Sequence, residues 1–301
     1  MKFSLKQLAV FEAVCETGSV SQAADKLSLT QSATSMSLAQ LEKILGRPLF
    51  ERHGKRMSLT YWGMWLQPRV KRLLQDARHI ESGFMDQQVM SGLLRVSASQ
   101  TPAEYLMPEL ISFLNQTYPE LRLDFSVYST HNVISELLNY QCDLGIIEGR
   151  CDDQRLMQQE WCKDRLVIVC SAEHPYAGNP EISLSMLENS SWVLREQGSG
   201  TRAVFDSAIF SHIRHLNVWR EYDFVPVIKS LVINSECLSC LPYLEVKKSV
   251  DTGQLAILNT PELNIERTLS FVWRVDSKDN PLIECVRREG INMMQGRSLI
   301  N

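Results

Sequence analysis

No stretch of this chain approaches the roughly 18 uninterrupted apolar residues needed to cross a membrane. The opening MKFSLKQLAVFEAVCETGS also lacks the long apolar core and small-residue cleavage site of a secretory signal. With neither anchor nor export signal, the expected compartment is the cytoplasm, and no membrane partner is implied. The eight cysteines (Cys15, Cys142, Cys151, Cys162, Cys170, Cys237, Cys240 and Cys285) are then expected to be reduced. Most sit in apolar runs such as LVIVC, where a free thiol packs as a small hydrophobe.

Catalytic hardware is equally thin. The six histidines (His53, His79, His131, His174, His212 and His215) are scattered, and neither HExxH nor a P-loop is present. An enzyme should gather a nucleophile and base, or a metal set, so the sequence argues against an enzyme and implies no cofactor. His212 and His215, three apart on a possible helix, offer at most a weak metal pair and read more simply as a solvated face. Cys237-x-x-Cys240 has a redox spacing without the strand–helix setting of a thioredoxin-like motif. The flanking Leu238 and Leu241 suggest a buried strand instead.

A basic excess is missing too. The 301 residues carry a formal net charge of −4, which on average argues against nucleic acid as a partner. The distribution reverses that. Residues 1–90 hold 12 Lys+Arg against 8 Asp+Glu, and the remainder 19 against 27. A basic head on an acidic body suits a DNA-binding module attached to something that does not touch DNA. The length exceeds one typical core, so two or more domains are expected, and 44% hydrophobic with 22% charged residues is ordinary soluble composition.

Within the basic head, three short amphipathic helices follow one another. Leu5, Leu8, Phe11 and Cys15 share a face of the first, Val20, Ala23, Ala24 and Leu27 of the second, and Leu38, Leu41 and Leu45 of the third. Ser19 and Thr30 are placed to cap the second and third. Only Ser28 and Leu29 separate Leu27 from Thr30, and small Ala23 and Ala24 let two axes approach, which is helix-turn-helix geometry. The second helix of such a pair leads into the major groove with its N-terminal residues. The groove-facing set is then Gln31, Ser32, Ser35 and Met36: Gln reads adenine bidentately, and Ser bonds phosphate or a base edge. The alternative is a solvated polar face on a surface helix. Against that stands the next segment, RPLFERHGKRMSLT, whose apolar Leu49, Phe50, Met57 and Leu59 flank a polar tip like a short hairpin. Its Arg52, Lys55 and Arg56 would supply backbone or minor-groove contacts.

Leu66, Val70, Leu73, Ala77, Ile80 and Phe84 then step by 4, 3, 4, 3, 4, the spacing of a coiled-coil seam. One amphipathic helix packed on its own domain would show the same pattern. Pro68 is expected to kink its first turns, and Ser91-Gly92 to end it at a hinge.

From residue 93 strands and helices alternate. LLRVSAS, LRLDFSVY, DLGIIEG, RLVIVCS, SWVLREQ and LSFVWRV read as strands, with helical patterns at 102–117 and 131–141 between the first three. Alternation implies parallel sheets, which bind ligands at strand carboxyl ends. Three such ends carry polar groups: Ser99-Gln100-Thr101-Pro102, Ser129-Thr130-His131-Asn132, and Arg195-Glu196-Gln197-Gly198-Ser199-Gly200-Thr201-Arg202. Exposed N–H groups and hydroxyls at a helix start suit a carboxylate or oxyanion; each is equally explained as a helix cap.

The segment LKQLAVFEAVCETGSVSQAADKLSLTQSATSMSLAQLEKILGRPLFERHGKRMSLTYWG resembles the N-terminal pattern of LysR-type transcriptional regulators almost end to end. The resemblance implies a multi-domain α+β protein: an all-α winged helix-turn-helix at 1–61, a linker and dimerisation helix at 62–91, and an effector-binding domain at 92–301. That last part would be two α/β lobes like those of periplasmic binding proteins, lobe one about 92–163 with 269–301 and lobe two about 164–268. It further implies double-stranded DNA, a small and anionic effector, a second copy of the chain (dimer or tetramer) and RNA polymerase as partners. The cleft would draw on Ser99, Gln100, Thr101, Thr130, His131, Glu148, Gly198, Ser199, Gly200, Thr201 and Phe224. QGSGTR is similar to the branch that includes regulators of sulfur assimilation and carbon fixation. Met36, Phe224-Val225-Pro226 and Ser235-Glu236-Cys237-Leu238 depart from the usual pattern. Peroxide sensors of the family place a reactive cysteine near the lobe-two helix start, where this chain has Ser199; a thiol-based regulator would have to use Cys237 and Cys240 instead.

Overall fold

The computed structural model describes residues 2–53, 56–83, 90–295 and 297, with the side chains of 52, 53, 56, 79 and 81–83 excepted. It divides into two compact units, the first Met1–Met85 with Asn139–Gln141 and the second Asp86–Leu138 with Cys142–Asn301.

The first unit holds α1 (Leu5–Thr17), α2 (Val20–Lys26), α3 (Gln31–Leu45), the strands β1 (Phe50–His53) and β2 (Arg56–Leu59), and α4 (Tyr61–Gly83). Ser4 starts α1 with a reciprocal capping box: its hydroxyl accepts from Gln7 N at 3.3 Å, and the Gln7 side chain accepts from Ser4 N at 2.9 Å. Leu8, Phe11, Val14, Ala23, Leu38, Leu41, Leu49, Phe50 and Val70 make one core. Leu5 and Leu45, assigned inward by spacing alone, are exposed because the ends of α1 and α3 run past that core. Thr30 caps α3 through its hydroxyl, accepting from Ala33 N at 3.2 Å. Ser19 starts α2 without a side-chain cap bond, and the Thr17 hydroxyl holds the Ser19 backbone, donating to its carbonyl at 2.9 Å and accepting from its N–H at 3.3 Å. Between α2 and α3, Ser28 adopts a left-handed φ of 54°.

β1 and β2 form an antiparallel hairpin with Phe50 opposite Leu59 and His53 opposite Arg56. Glu42 of α3 holds its base, accepting from Leu49 N at 2.7 Å and Phe50 N at 3.3 Å. α4 starts flush against it: a Cβ on Gly63 would lie 2.2 Å from the Leu49 carbonyl oxygen, so only glycine fits. The helix continues through Pro68. The expected seam divides in two. Val70 is buried in the core of its own unit with Leu66 and Leu74 against it, whereas Leu73 and Ile80 are exposed, as are Trp62 and Trp65; Phe84 lies outside the described residues.

The second unit begins with β3 (Gly92–Ala98), α5 (Gln100–Tyr105), α6 (Met107–Thr117), β4 (Leu121–Val127), α7 (Thr130–Leu138) and β5 (Leu144–Glu148). The single helix expected over 102–117 is two, because Pro108 has no N–H to continue α5. Gly92 is a strand residue rather than a hinge, its N–H bonded to the Glu120 carbonyl at 3.1 Å. Next come β6 (Leu156–Ser171), α8 (Leu184–Glu188), β7 (Ser191–Arg195), α9 (Gly200–Ile209), β8 (Asn217–Tyr222), α10 (Val225–Ile233), β9 (Ser239–Pro242), α11 (Tyr243–Asp251), β10 (Leu255–Ile257), β11 (Ile265–Arg274) and α12 (Pro281–Met294).

Parallel pairing holds for β4–β3–β5 and for β7–β8. The rest of the main sheet, ordered β10-β6-β11-β5-β3-β4 with β9 also on β6, is antiparallel. The expectation of parallel sheets fails there for a simple reason. β6 and β11 carry the chain from lobe to lobe in opposite directions and pair with each other along Ile265–Arg274. At Leu269/Ser270 their register slips, leaving Trp161 as an extra residue on β6. That indole stacks on Phe271 at 4.6 Å and donates to the Gly290 carbonyl at 2.7 Å. One core gathers around Leu94, Leu110, Ile146, Phe271 and Val286, a second around Ile168, Trp192, Phe205 and Ile265. These are the two lobes. Among the described residues, no helix is long and apolar enough to cross a membrane.

Candidate functional site

Two surfaces attract attention, one in each unit. In the first, Thr34, Leu38 and Leu41 turn α3 inward, so Gln31, Ser32 and Met36 face outward while Ser35 is half-buried beside them. Thr30 and Ser32 share a 3.1 Å hydroxyl contact at the helix start. The first two turns of α3 therefore present amide, hydroxyl and thioether groups beside the backbone N–H groups that a helix start leaves outside its own ladder, the combination that meets phosphates and base edges. Arg52 and Arg56 lie on the hairpin strands, with side chains outside the described set; Lys55 lies wholly outside the described residues.

In the second unit a cleft of about 1150 Å³ opens between the lobes. Its walls include Thr130 and His131 at the start of α7, Glu148 at the end of β5, Gly198, Ser199 and Gly200 at the start of α9, and Asn264, Ile265, Glu266, Arg267, Thr268 and Ser270 at and along β11. The α7 and α9 termini touch. His131 N donates to the Gly198 carbonyl at 3.1 Å, and a Cβ on Gly200 would sit 2.5 Å from Thr130 Oγ1 and 2.8 Å from the Glu148 carbonyl oxygen. Glycine is thus demanded by the close approach of the two lobes.

Behind this junction lies a buried charge cluster. Arg267, its side chain fully enclosed, reaches Glu148 Oε2 at 3.0 Å and Asp164 Oδ2 at 2.6 Å, and donates to Thr201 Oγ1 at 2.8 Å and Thr101 Oγ1 at 2.9 Å. Glu148 accepts from Thr101 N at 3.1 Å and from the Thr201 hydroxyl at 3.2 Å. Burial would raise the Glu148 pKa, yet the Arg267 guanidinium and the Thr101 contacts outweigh it and hold the carboxyl below its usual range. The hydroxyls of Thr130 and Ser270, both on the cleft wall, are buried without a hydrogen-bond partner, as is that of Ser99 behind it.

Of the candidates from sequence, Thr130, His131, Glu148, Gly198, Ser199 and Gly200 come together on the wall, and Thr101 and Thr201 meet Glu148 from behind. The Ser199 hydroxyl is spent as a cap, accepting from Arg202 N at 3.4 Å. Ser99 and Gln100 do not line the cleft. Phe224 is a correction: it is 57% exposed at the start of α10 and no part of the wall, because Val225 takes the buried position there and turns the ring out to solvent. Sequence reading missed Arg267, Asp164 and Ser270. A usable signal existed in IERTLSFVWR, where an arginine interrupts a strand whose neighbours are apolar. The cysteine alternative gains nothing: Cys237 and Cys240 are both buried, and burial pushes the Cys240 thiol up, away from the reactive thiolate. His212 and His215 follow α9 in a loop rather than sharing a helix. Among the described residues no group of three or more metal-ligating side chains occurs.

A helix-turn-helix with a hairpin wing, followed by a two-lobed α/β body with an interlobe cleft, defines a DNA-binding regulator with an effector-binding domain. Comparison with known proteins agrees. Residues 5–64 match the bacterial regulatory helix-turn-helix protein, lysR family, and residues 87–291 the LysR substrate binding domain. The uncharacterized HTH-type transcriptional regulator YeiE of Escherichia coli is 34% identical over 288 residues, 96% of each chain. CysL of Bacillus subtilis is 31% identical over 291 residues, covering 94% of this chain and 93% of CysL. Among solved structures, a full-length OxyR variant from Pseudomonas aeruginosa aligns with a TM-score of 0.76 at 21% identity over 97% of this chain and 96% of its own. CbnR complexed with its target DNA aligns at 0.63 and 18% identity, covering 97% and 99%. The regulatory domain of Synechocystis CcmR in complex with 2-PG aligns at 0.62 and 23%, covering 67% and 97%. The chain belongs to the LysR family of transcriptional regulators, a family of regulators rather than enzymes.

Proposed function

We propose that the chain reads operator DNA through Gln31, Ser32, Ser35 and Met36, with Arg52, Lys55 and Arg56 on the adjoining backbone or minor groove, and that a small anionic effector in the interlobe cleft sets its output. The observation carrying this reading is the outward polar turn at the start of α3, held by the buried Thr34, Leu38 and Leu41. Residues 1–61 form the reading head, 62–91 pair two subunits through the exposed face of α4, and 92–163 with 269–301 and 164–268 form the sensing lobes. Pairs of dimers at a promoter would meet RNA polymerase. The structures of CbnR with its target DNA and CcmR with 2-PG support the two binding roles by analogy of fold. QGSGTR, together with a 28% identity to a probable RuBisCO transcriptional regulator, supports a place near the sulfur-assimilation and carbon-fixation branch. The setting is the cytoplasm. Effector occupancy shifts the balance of lobe arrangements, and with it dimer geometry and DNA bending.

Mobility shifts against random competitor at moderate salt test the reading, on sites found by genome-wide mapping. Arg52→Ala and Arg56→Ala should weaken binding to all sequences and reduce its salt slope, whereas Ser35→Ala should relax sequence preference. Absence of any preferred site sinks the reading, and uniform weakening by Ser35→Ala removes that residue from the reading set.

A further inference from the structure

An anion seat needs convergent donors and no resident negative charge. The cleft meets the first condition and fails the second. Near Glu148 the chain brings together Thr101 N and the starts of α7 and α9, the helices of nine and ten residues whose N-termini carry positive partial charge. A carboxylate is already there, and it comes from the chain itself. Glu148 leaves the end of β5 in lobe one, takes the Thr101 N–H, and crosses to the Thr201 hydroxyl in lobe two. Arg267 closes the circuit from the crossing strand β11, bonding both threonine hydroxyls and both Glu148 and Asp164. Two carboxylates face one guanidinium, with the buried Arg195 as a further cation acting on Glu148.

Beside it stand acceptors and donors with nothing to do. Thr130 Oγ1 is buried, lines the cleft and has no partner, and the Gly200 contact places it next to the Glu148 side chain. Ser270 Oγ, fully buried on the same wall, has none either. A buried hydroxyl left unbonded loses the hydrogen bonds it had in water, and two on one wall mark a place built to be filled. A small oxyanion landing on them would share the cleft wall with Glu148, whose negative charge opposes it unless the carboxylate moves away.

We propose that Glu148 is a built-in competitor for the effector site: its carboxylate occupies the seat a small oxyanion or carboxylate would take, staples the lobes through Thr101 and Thr201, and is displaced when such a ligand enters. This rests on the reading of the cleft as the effector site. It assigns Glu148 a role opposite to that of a ligand-contacting residue. Effector affinity is set by the work of expelling an internal anion, and expulsion cuts the direct link from β5 to α9.

Full-length protein with Glu148→Gln, which keeps the volume and removes the charge, and with Glu148→Ala, which vacates the seat, tests this. Sodium sulfate, phosphate and acetate are titrated calorimetrically and by thermal melting, with sodium chloride at matched ionic strength as reference. E148Q should bind sulfate or phosphate about tenfold tighter than the unaltered chain, equivalent to about 1.4 kcal/mol. Acetate should raise the melting temperature of E148A more than that of the unaltered chain at every concentration, by mass action on a vacated site. Anion affinity that is equal or lower in E148Q, or an E148A protein indifferent to acetate, overturns the proposal. The effector-site reading is judged separately: E148Q that binds anions tightly with no change in DNA footprint leaves the competitor intact and sinks the regulatory role of the cleft.

Discussion

Glu245 is 4% exposed and faces Glu104 and Tyr105 of α5 and Lys229 of α10, whose ammonium donates to the Glu245 carbonyl at 2.9 Å and lies 3.8 Å from its carboxylate. Burial, then the nearby Glu104, raise its pKa to about 7, more than Lys229 lowers it. A carboxyl that binds its proton more tightly folded than unfolded favours the folded state at low pH. That advantage is complete below the ordinary value near 4.5 and drains away as pH rises to about 7. Glu245→Gln should therefore flatten the decline in stability of the second unit between those values, a difference on the order of 3 kcal/mol at neutral pH. Denaturant melts at pH 5 and pH 8 read it; a slope unchanged by the substitution would mean the carboxyl ionises freely. Glu148 has the opposite sign. Its depressed pKa gives stability at neutral pH that is lost on acidification below the ordinary carboxylate range. Neither behaviour was legible in the sequence, because each depends on partners 16 to 141 positions away in the chain, brought together only by the fold.

The elements themselves were far more readable. Thr30, a tight two-residue turn and the apolar hairpin flanks are local signals, and the helices and strands they mark are present. Local pattern failed where a neighbour decides. Spacing assigned Leu45 inward, but the core ends before it; it ran one helix over 102–117, though Pro108 divides α5 from α6. Gly63 shows the same dependence in a testable form. With its ideal Cβ 2.2 Å from a backbone oxygen of Leu49, Gly63→Ala must push α4 off the hairpin. Overpacking of this kind costs about 1–3 kcal/mol, and more where backbone cannot yield. The first unit should melt earlier and bind DNA less, while the second unit, with its own cores, melts as before. Simultaneous loss in both would show that the units do not fold independently.

Over the whole molecule, the sequence divided the labour through its charge: a basic head and an acidic body, matched by separate compact units. It read α4 as a seam, and half of that seam is consumed by its own core at Val70. The exposed half, Leu73 and Ile80, with Trp65 exposed beside it, is the surface proposed above to pair with a second copy of the chain. Ile80→Glu should convert a sedimenting dimer toward monomer and weaken binding to two-half-site DNA far more than to a single half-site. An unchanged sedimentation coefficient would move the pairing surface elsewhere. The two carrier strands were the least legible feature, since their partnership joins residues about a hundred positions apart and reverses the sense expected from alternating strands and helices.

The slipped register at Leu269/Ser270 has a consequence for how such a body changes over generations. A strand alternates its side chains, so one added residue exchanges inside for outside from that point on. Trp161, the added residue, absorbs the exchange at the boundary of the lobes. Each lobe can thereby keep its own phase, and a substitution that remodels one interior need not be read by the other.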